Sequence, residues 1–402
     1  MKIILNIEYG MLQGTYWMLY SLTGSFVSVF LLGRGYSNSD IGVIMAAASV
    51  AAIICQPLLA DASDKIRKIT LARIIQIQVF VMLILSICLI ILKSKSVWLT
   101  LAFIALYSWH TIVQPLVNSL CYYLQRTGYH INFGICRSAG SLLYAAITAV
   151  MGLAVEKHGV DTIPETAAVI CLLIAVILEF TERSYKTSFK GKEGSERKII
   201  KDKDIAIISM KEFLKRNRMY FIFSTGVIGI FFGNSGINTF MIQITQAAGG
   251  SESDMGMLLG YMAALEIPGL ILYDWLRRKF SVRLLLGVSC GGFLVKIFIM
   301  YISESVAMLY FAMTWQLIAF GLYLAAMVDF INTVMSRGEA VRGQAVYTIM
   351  VTVGTVLSSI IGGWILDNYN VKMFLGIATL LTAAGMAVIM LFSGRLEKKT
   401  GW

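Results

Sequence analysis

Long apolar runs separated by short polar breaks dominate the chain. Residues 41–60 (IGVIMAAASVAAIICQPLLA), 74–92 (IIQIQVFVMLILSICLIIL) and 372–393 each approach the ~20 residues that an α-helix needs to cross a hydrocarbon core. In lipid every backbone N–H and C=O must be satisfied within the segment, so runs of this length read as helices rather than open strands. The pattern predicts twelve spanning helices over 9–32, 40–61, 70–92, 97–122, 134–155, 162–181, 219–243, 254–275, 283–303, 305–332, 341–366 and 372–393. The fold class is therefore an all-α membrane protein, and the first helix reads as retained, because no cleavage signature follows it.

Composition agrees. Hydrophobic residues make up 57% and charged residues 14% of the chain, with a mean hydropathy of +0.75. A surface wetted on all sides needs about a quarter charged residues. The net charge of +11 is distributed as a topology signal. An even number of spans puts both termini on one side. With that side cytoplasmic, 28 basic residues face inward and five (Arg34, Lys93, Lys95, Lys157, Lys372) outward. The basic excess then meets anionic lipid, and nucleic acid is excluded as a partner. The expected location is the cell membrane, multi-pass, with both termini cytoplasmic. The six cysteines sit in or beside apolar runs without metal-ligand spacing and read as packing residues. No cofactor and no metal is expected.

The longest polar stretch, 182–218, separates six predicted helices from six. The predicted domains are 1–181, a basic cytoplasmic linker 182–218, and 219–402. The end of the linker, "ISMKEFLKRNRMYF", reads either as a short amphipathic helix on the inner membrane surface or as a plain connector. The two halves share landmarks. "SNSDIG" at 37–42 and "SESDMG" at 251–256 each precede the second helix of a half. Ser39 and Ser253 are the expected N-caps, with Asp40 and Asp254 at the positive end of the helix dipole. Pro57 and Pro268 each precede an acid-then-basic cluster that contains Asp64 or Asp274. A duplicated six-helix unit implies two pseudo-symmetric bundles and a cavity between them.

On these residues the chain resembles the major facilitator superfamily. The segment "ADASDKIRK" at 60–68 is similar to that superfamily's loop signature, with Ala60 where glycine is usual. Within it, the chain resembles the branch of oligosaccharide:proton symporters and nucleoside permeases that includes lactose permease. "QPLLADASDK" at 56–65, "FGICRSAGSLLY" at 133–144 and "GYMAALEIPG" at 260–269 carry the likeness. The resemblance implies Arg137 as a sugar-binding arginine, Tyr144 as the stacking aromatic seven residues on, and Glu266 as a sugar-binding acid. Lys296 stands where the branch has an arginine. The chain departs from the branch on other helices. Asn118 lies near the place of an absent glutamate, Ser235 and Asn238 replace acids, and Gln316 and Ala319 replace a His–Glu pair, which points away from lactose.

Charges within the membrane are costly and need a reason. Glu266 lies ~18 Å into its predicted helix from one side and Lys296 ~20 Å into the next from the other, at 1.5 Å per residue. Both fall near mid-depth, so a switchable Glu266–Lys296 pair can couple proton uptake to solute binding, while a permanent pair only ties two helices together. Arg137, about a turn inside its helix, offers a donor fork for hydroxyls or snorkels to the surface. Polar stripes recur at helical spacing: Gln13, Trp17 and Tyr20; His110, Gln114 and Asn118; Asn234 and Asn238; Gln344, Thr348 and Thr352; and Gln316 alone. Such groups suit a hydroxyl-rich solute, or serve as interhelical hydrogen-bond glue. His110 is read as a packing histidine or a proton relay, Asp329 as a loop or inner-gate contact, and Asp64, Lys65, Arg67 and Lys68 as a gating cluster.

The function expected is a secondary transporter that moves a sugar, oligosaccharide or nucleoside by alternating access as a monomer, with protons as coupling ion. The alternative is proton-driven efflux of amphipathic drugs or sugars, favoured by 21 Met and 21 Phe. Three widely spaced histidines and the lack of a P-loop argue against an enzyme or an ATP-driven pump.

Overall fold

The computed structural model describes residues 2–65, 69–125, 128–189, 210–336 and 339–400, and the elements among them are helices. Eleven helices among the described residues are long and apolar enough to cross a membrane. The pair Ile3–Ser25 and Val27–Gly33, bent by 48°, gives a twelfth when taken as one span.

One compact unit comprises Met1–Arg197 with Ser251–Ala263. Its helices are α1 (Lys2–Tyr20), α2 (Val27–Gly33), α3 (Asn38–Lys65), α4 (Leu71–Ile91), α5 (Val97–Gln125), α6 (Phe133–His158) and α7 (Thr162–Phe189). Here α1 packs along α6 and α7, α4 along α5 and α7, and α3 along α5. The expected helix over 9–32 is broken. A π-helical turn at Ser21–Ser25 separates α1 from α2. The Ser21 and Thr23 hydroxyls donate to the carbonyls of Met18 at 2.7 Å and Leu19 at 3.1 Å, which loosens the helical ladder where the chain bends.

The second unit comprises Lys198–Gly250 with Ala264–Trp402. Its helices are α8 (Met210–Arg216), α9 (Arg218–Thr239), α10 (Met241–Ala247), the later part of α11 (Glu252–Arg277), α12 (Val282–Tyr301), α13 (Val306–Thr314), α14 (Leu322–Val334), α15 (Ala340–Asn368) and α16 (Val371–Thr400). The early part of α11 belongs to the first unit, so the division differs there from the expected 219–402. A π-helical turn at Leu317–Gly321 joins α13 to α14. Helix α9 packs against α15 and α16. Its approach to α16 needs glycine, because a Cβ on Gly226 would stand 2.6 Å from the Gly385 carbonyl oxygen. Helix α8 packs Phe213 into the unit: its side chain is fully buried and meets the Tyr220 ring edge to face at 6.5 Å.

The duplicated hexapeptide has a more specific structure than the sequence suggested. The caps are Ser37 and Ser251, two residues before Ser39 and Ser253. Ser37 N donates to Asp40 Oδ2 at 2.9 Å, and Asp40 N returns a bond to Ser37 Oγ at 3.1 Å. Ser251 and Asp254 repeat the exchange at 2.9 and 3.4 Å. This is a reciprocal capping box with Asp in the third helical position, which satisfies two orphan backbone donors at once. Close by in the first unit, Asp161 accepts from Lys93 Nζ at 2.7 Å and from Arg34.

Two outcomes follow. Ser251→Ala removes a cap worth ~1 kcal/mol and lowers the thermal midpoint, whereas Ser253→Ala, in the first turn, leaves it nearly unchanged. The Lys93 ammonium, and then the Arg34 guanidinium, hold the Asp161 carboxyl below the usual carboxylate range. Its stabilising contribution is complete above about pH 4 and falls as acid carries the pH through the lower folded value. Thermal unfolding of Asp161→Asn across that window lacks this component.

Candidate functional site

Each unit carries a cluster of polar side chains at the level of its helix interiors. In the first, α1 presents Gln13, Trp17 and Tyr20 at spacings of four and three residues, hence on one face. Arg137 of α6 does not snorkel away from that face. Its Cζ lies 4.0 Å from the centre of the Trp17 ring, and its Nη1 reaches Ser141 Oγ at 3.4 Å. Tyr20 meets Trp17 edge to face at 5.3 Å. Trp17, Tyr20 and Arg137 are all partly exposed, so a cation and two aromatic rings remain accessible together.

Behind them the polar groups are partly paired with one another, while Gln13 Oε1 is buried with no hydrogen-bond partner among the described residues. Gln13 Nε2 donates to Asn118 Oδ1 at 3.2 Å and to the Tyr9 hydroxyl at 2.7 Å. Fully buried His110 stacks on Tyr16 at 4.2 Å. Its Nε2 donates to the Tyr16 carbonyl at 3.2 Å, and the Tyr16 hydroxyl donates to the His110 carbonyl at 2.9 Å. The buried His110 Nδ1 has no hydrogen-bond partner among the described residues either. Gln114 is half-buried on the same helix. Tyr144 is buried and its hydroxyl bonds Ser25 Oγ at 2.6 Å, tying α6 to the π-helical turn of the first span. The aromatic surface beside Arg137 therefore comes from Trp17.

In the second unit the mid-depth charges meet through an intermediary. Lys296 Nζ donates to Gln316 Oε1 at 2.7 Å and to Asn234 Oδ1 at 3.3 Å. Gln316 Nε2 donates in turn to Glu266 Oε1 at 2.8 Å. The expected direct Glu266–Lys296 contact is thus replaced by a relay through one carboxamide. Lys296 is fully buried and Gln316 nearly so, whereas Glu266 is half-buried. Backbone proximity makes the relay short. Gly269 of α11 and Gly321 of the π-helical turn cross so closely that a Cβ on Gly321 would stand 2.9 Å from the Glu266 carbonyl oxygen. Asn238 is half-buried, and its Oδ1 has no hydrogen-bond partner among the described residues.

Other expected groups serve the helices themselves. Exposed Thr348 and half-buried Thr352 donate to carbonyls four residues earlier on α15. Asp329 accepts from the Tyr273 hydroxyl and from Arg277 Nε, both at 2.6 Å, a contact near the end of α11. Of the expected gating cluster, Arg67 and Lys68 lie outside the described residues, as do the side chains of Asp64 and Lys65. Tyr16 and Ser25 were not singled out in the sequence. Their partners sit on other helices, and no spacing rule announces them.

The chain belongs to the MFS_1 like family, whose model matches residues 9–394. It is a transporter of the major facilitator fold, not an enzyme. Its fold is similar to that of the nucleoside transporter NupG, with a TM-score of 0.74, 15% identity and coverage of 97% of this chain and 98% of that one. A bacterial homologue of the human lysosomal transporter Spinster gives a TM-score of 0.67 at 14% identity, covering 100% of this chain and 98% of its own. The peptide transporter POT gives 0.71 at 10% identity, covering 99% and 94%. No curated protein matches the sequence.

Removing the intermediary tests the relay. Gln316→Leu strands the buried Lys296 ammonium with one long contact and is expected to cost roughly 3–5 kcal/mol of stability. Adding Lys296→Met to that variant recovers most of the loss, as a double-mutant cycle of thermal unfolding would measure.

Proposed function

We propose that the protein is a proton-coupled symporter of a small hydroxyl-rich solute of the sugar or nucleoside class, working by alternating access. The observation that carries this reading is the Glu266–Gln316–Lys296 relay, accessible at its acid end and sealed at its ammonium end. Glu266 is the acid that would carry the proton, and the carboxamide between the charges can turn or part as one of them changes. Solute that takes over Glu266 as a hydrogen-bond acceptor alters the balance along the relay. Proton uptake and solute binding then depend on each other, which is the requirement for coupling.

The first unit's cluster supports the solute class. Trp17 and Tyr20 offer ring faces and edges to a sugar ring or a nucleobase. Arg137 supplies a rigid fork of donors to hydroxyl or carbonyl oxygens, and Asn118 and Gln114 add neutral partners. The fold likeness to a nucleoside transporter is a reason to include nucleosides among the solutes tried.

Proteoliposomes tested with a panel of nucleosides and sugars, with and without an imposed pH gradient, decide the matter. Gradient-dependent accumulation of one panel member is expected. Glu266→Gln is expected to retain exchange of labelled solute yet lose uphill accumulation, and Arg137→Ala to weaken uptake at least tenfold. Accumulation by Glu266→Gln equal to wild type, or extrusion of amphipathic dyes with no uptake of any panel member, contradicts the reading.

A further inference from the structure

We infer that a groove on the second unit is a retained site for one anionic glycerophospholipid, its acyl chain in the groove and its phosphate on Arg278 and Lys279. The groove is a cavity of about 340 Å³ between α11, α12 and the π-helical turn, and its lining is apolar throughout. Gly269, Leu276, Phe280, Leu284, Leu317 and Ile318 mark its course. From Gly269 to the end of α11 at Arg277 it runs on the order of 12 Å at the helical rise, and Phe280 continues it past the helix end, so that it covers nearly half of a ~30 Å hydrocarbon core. That is the reach of a chain from one leaflet. Phe280 and Leu284 are exposed, so the groove is open along its side.

The mouth carries the complementary charge. Arg277, Arg278 and Lys279 follow one another where α11 ends. Arg277 is taken by Asp329. Arg278 and Lys279 are exposed, and among the described residues no carboxylate forms an ion pair with either. Lys279 Nζ stands 4.0 Å from the centre of the Trp275 ring, itself exposed beside the groove. A tryptophan with an ammonium over its face suits the level of lipid headgroups, where the ring is half in hydrocarbon and the cation meets phosphate.

The site also touches the machinery above. Leu317 and Ile318 open the π-helical turn directly after Gln316, and Gly269 lies three residues beyond Glu266. A chain in the groove would therefore pack against the crossing that holds the relay.

The test uses the full chain, purified and exchanged into micelles containing equal phosphatidylglycerol and phosphatidylcholine, with bound lipid counted by native mass spectrometry. Wild type is expected to retain phosphatidylglycerol over phosphatidylcholine by on the order of tenfold. Arg278→Gln with Lys279→Gln brings that ratio close to one, and Leu272→Trp, which fills the groove from its rim, removes the retained lipid. Thermal midpoints near wild type show that both variants are folded. Equal retention of the two lipids by wild type overturns the inference. So does a phosphatidylglycerol preference that survives Leu272→Trp, since charge attraction alone then accounts for it.

Discussion

A lysine ammonium fully enclosed by helices has to be given hydrogen-bond partners, and the second unit is arranged around that need. Lys296 is fully enclosed, and Gln316 and Asn234 supply oxygen atoms to it from other parts of the unit. Gln316 reaches because it stands at the entrance to a π-helical turn, and Glu266 reaches Gln316 because two glycines let α11 cross at backbone contact. Sequence, helix geometry and charge thus converge on three side chains. A direct ion pair would lock such a site. A carboxamide between the charges leaves each one separately adjustable.

The first unit solves a different problem. Its cation, Arg137, is not enclosed but laid across Trp17, and the polar groups behind it are occupied with one another. Buried groups that satisfy each other hold helices at fixed angles, while half-exposed ones are left to meet a ligand. Gln13, His110 and Tyr16 lie on the buried side of that division, although Gln13 Oε1 and His110 Nδ1 have no hydrogen-bond partner among the described residues, and Trp17, Tyr20 and Arg137 lie on the partly exposed side.

Periodicity made the spans legible, because long apolar runs have one stable form in lipid. The duplicated hexapeptide was visible as a helix start, although the cap itself proved to be Ser37 or Ser251 through an exchange of two bonds. The site was legible in part. Glu266 and Lys296 stood out because charge within an apolar run is rare, and Gln316 stood out as a lone polar group. What joined them was hidden, since the bridging depends on a π-helical turn and a glycine crossing that no local pattern encodes. The bond between Tyr144 and Ser25 was hidden for a similar reason, since Ser25 sits in the other π-helical turn.

The central claim is that binding of solute and a change of protonation at Glu266 are one event. The most direct measurement follows pH in a weakly buffered solution of purified protein as the transported solute is added. Proton uptake from solution that accompanies solute, and that disappears when residue 266 carries an amide, is the predicted result. Solute binding with no proton movement in the wild-type protein at any pH would contradict the account.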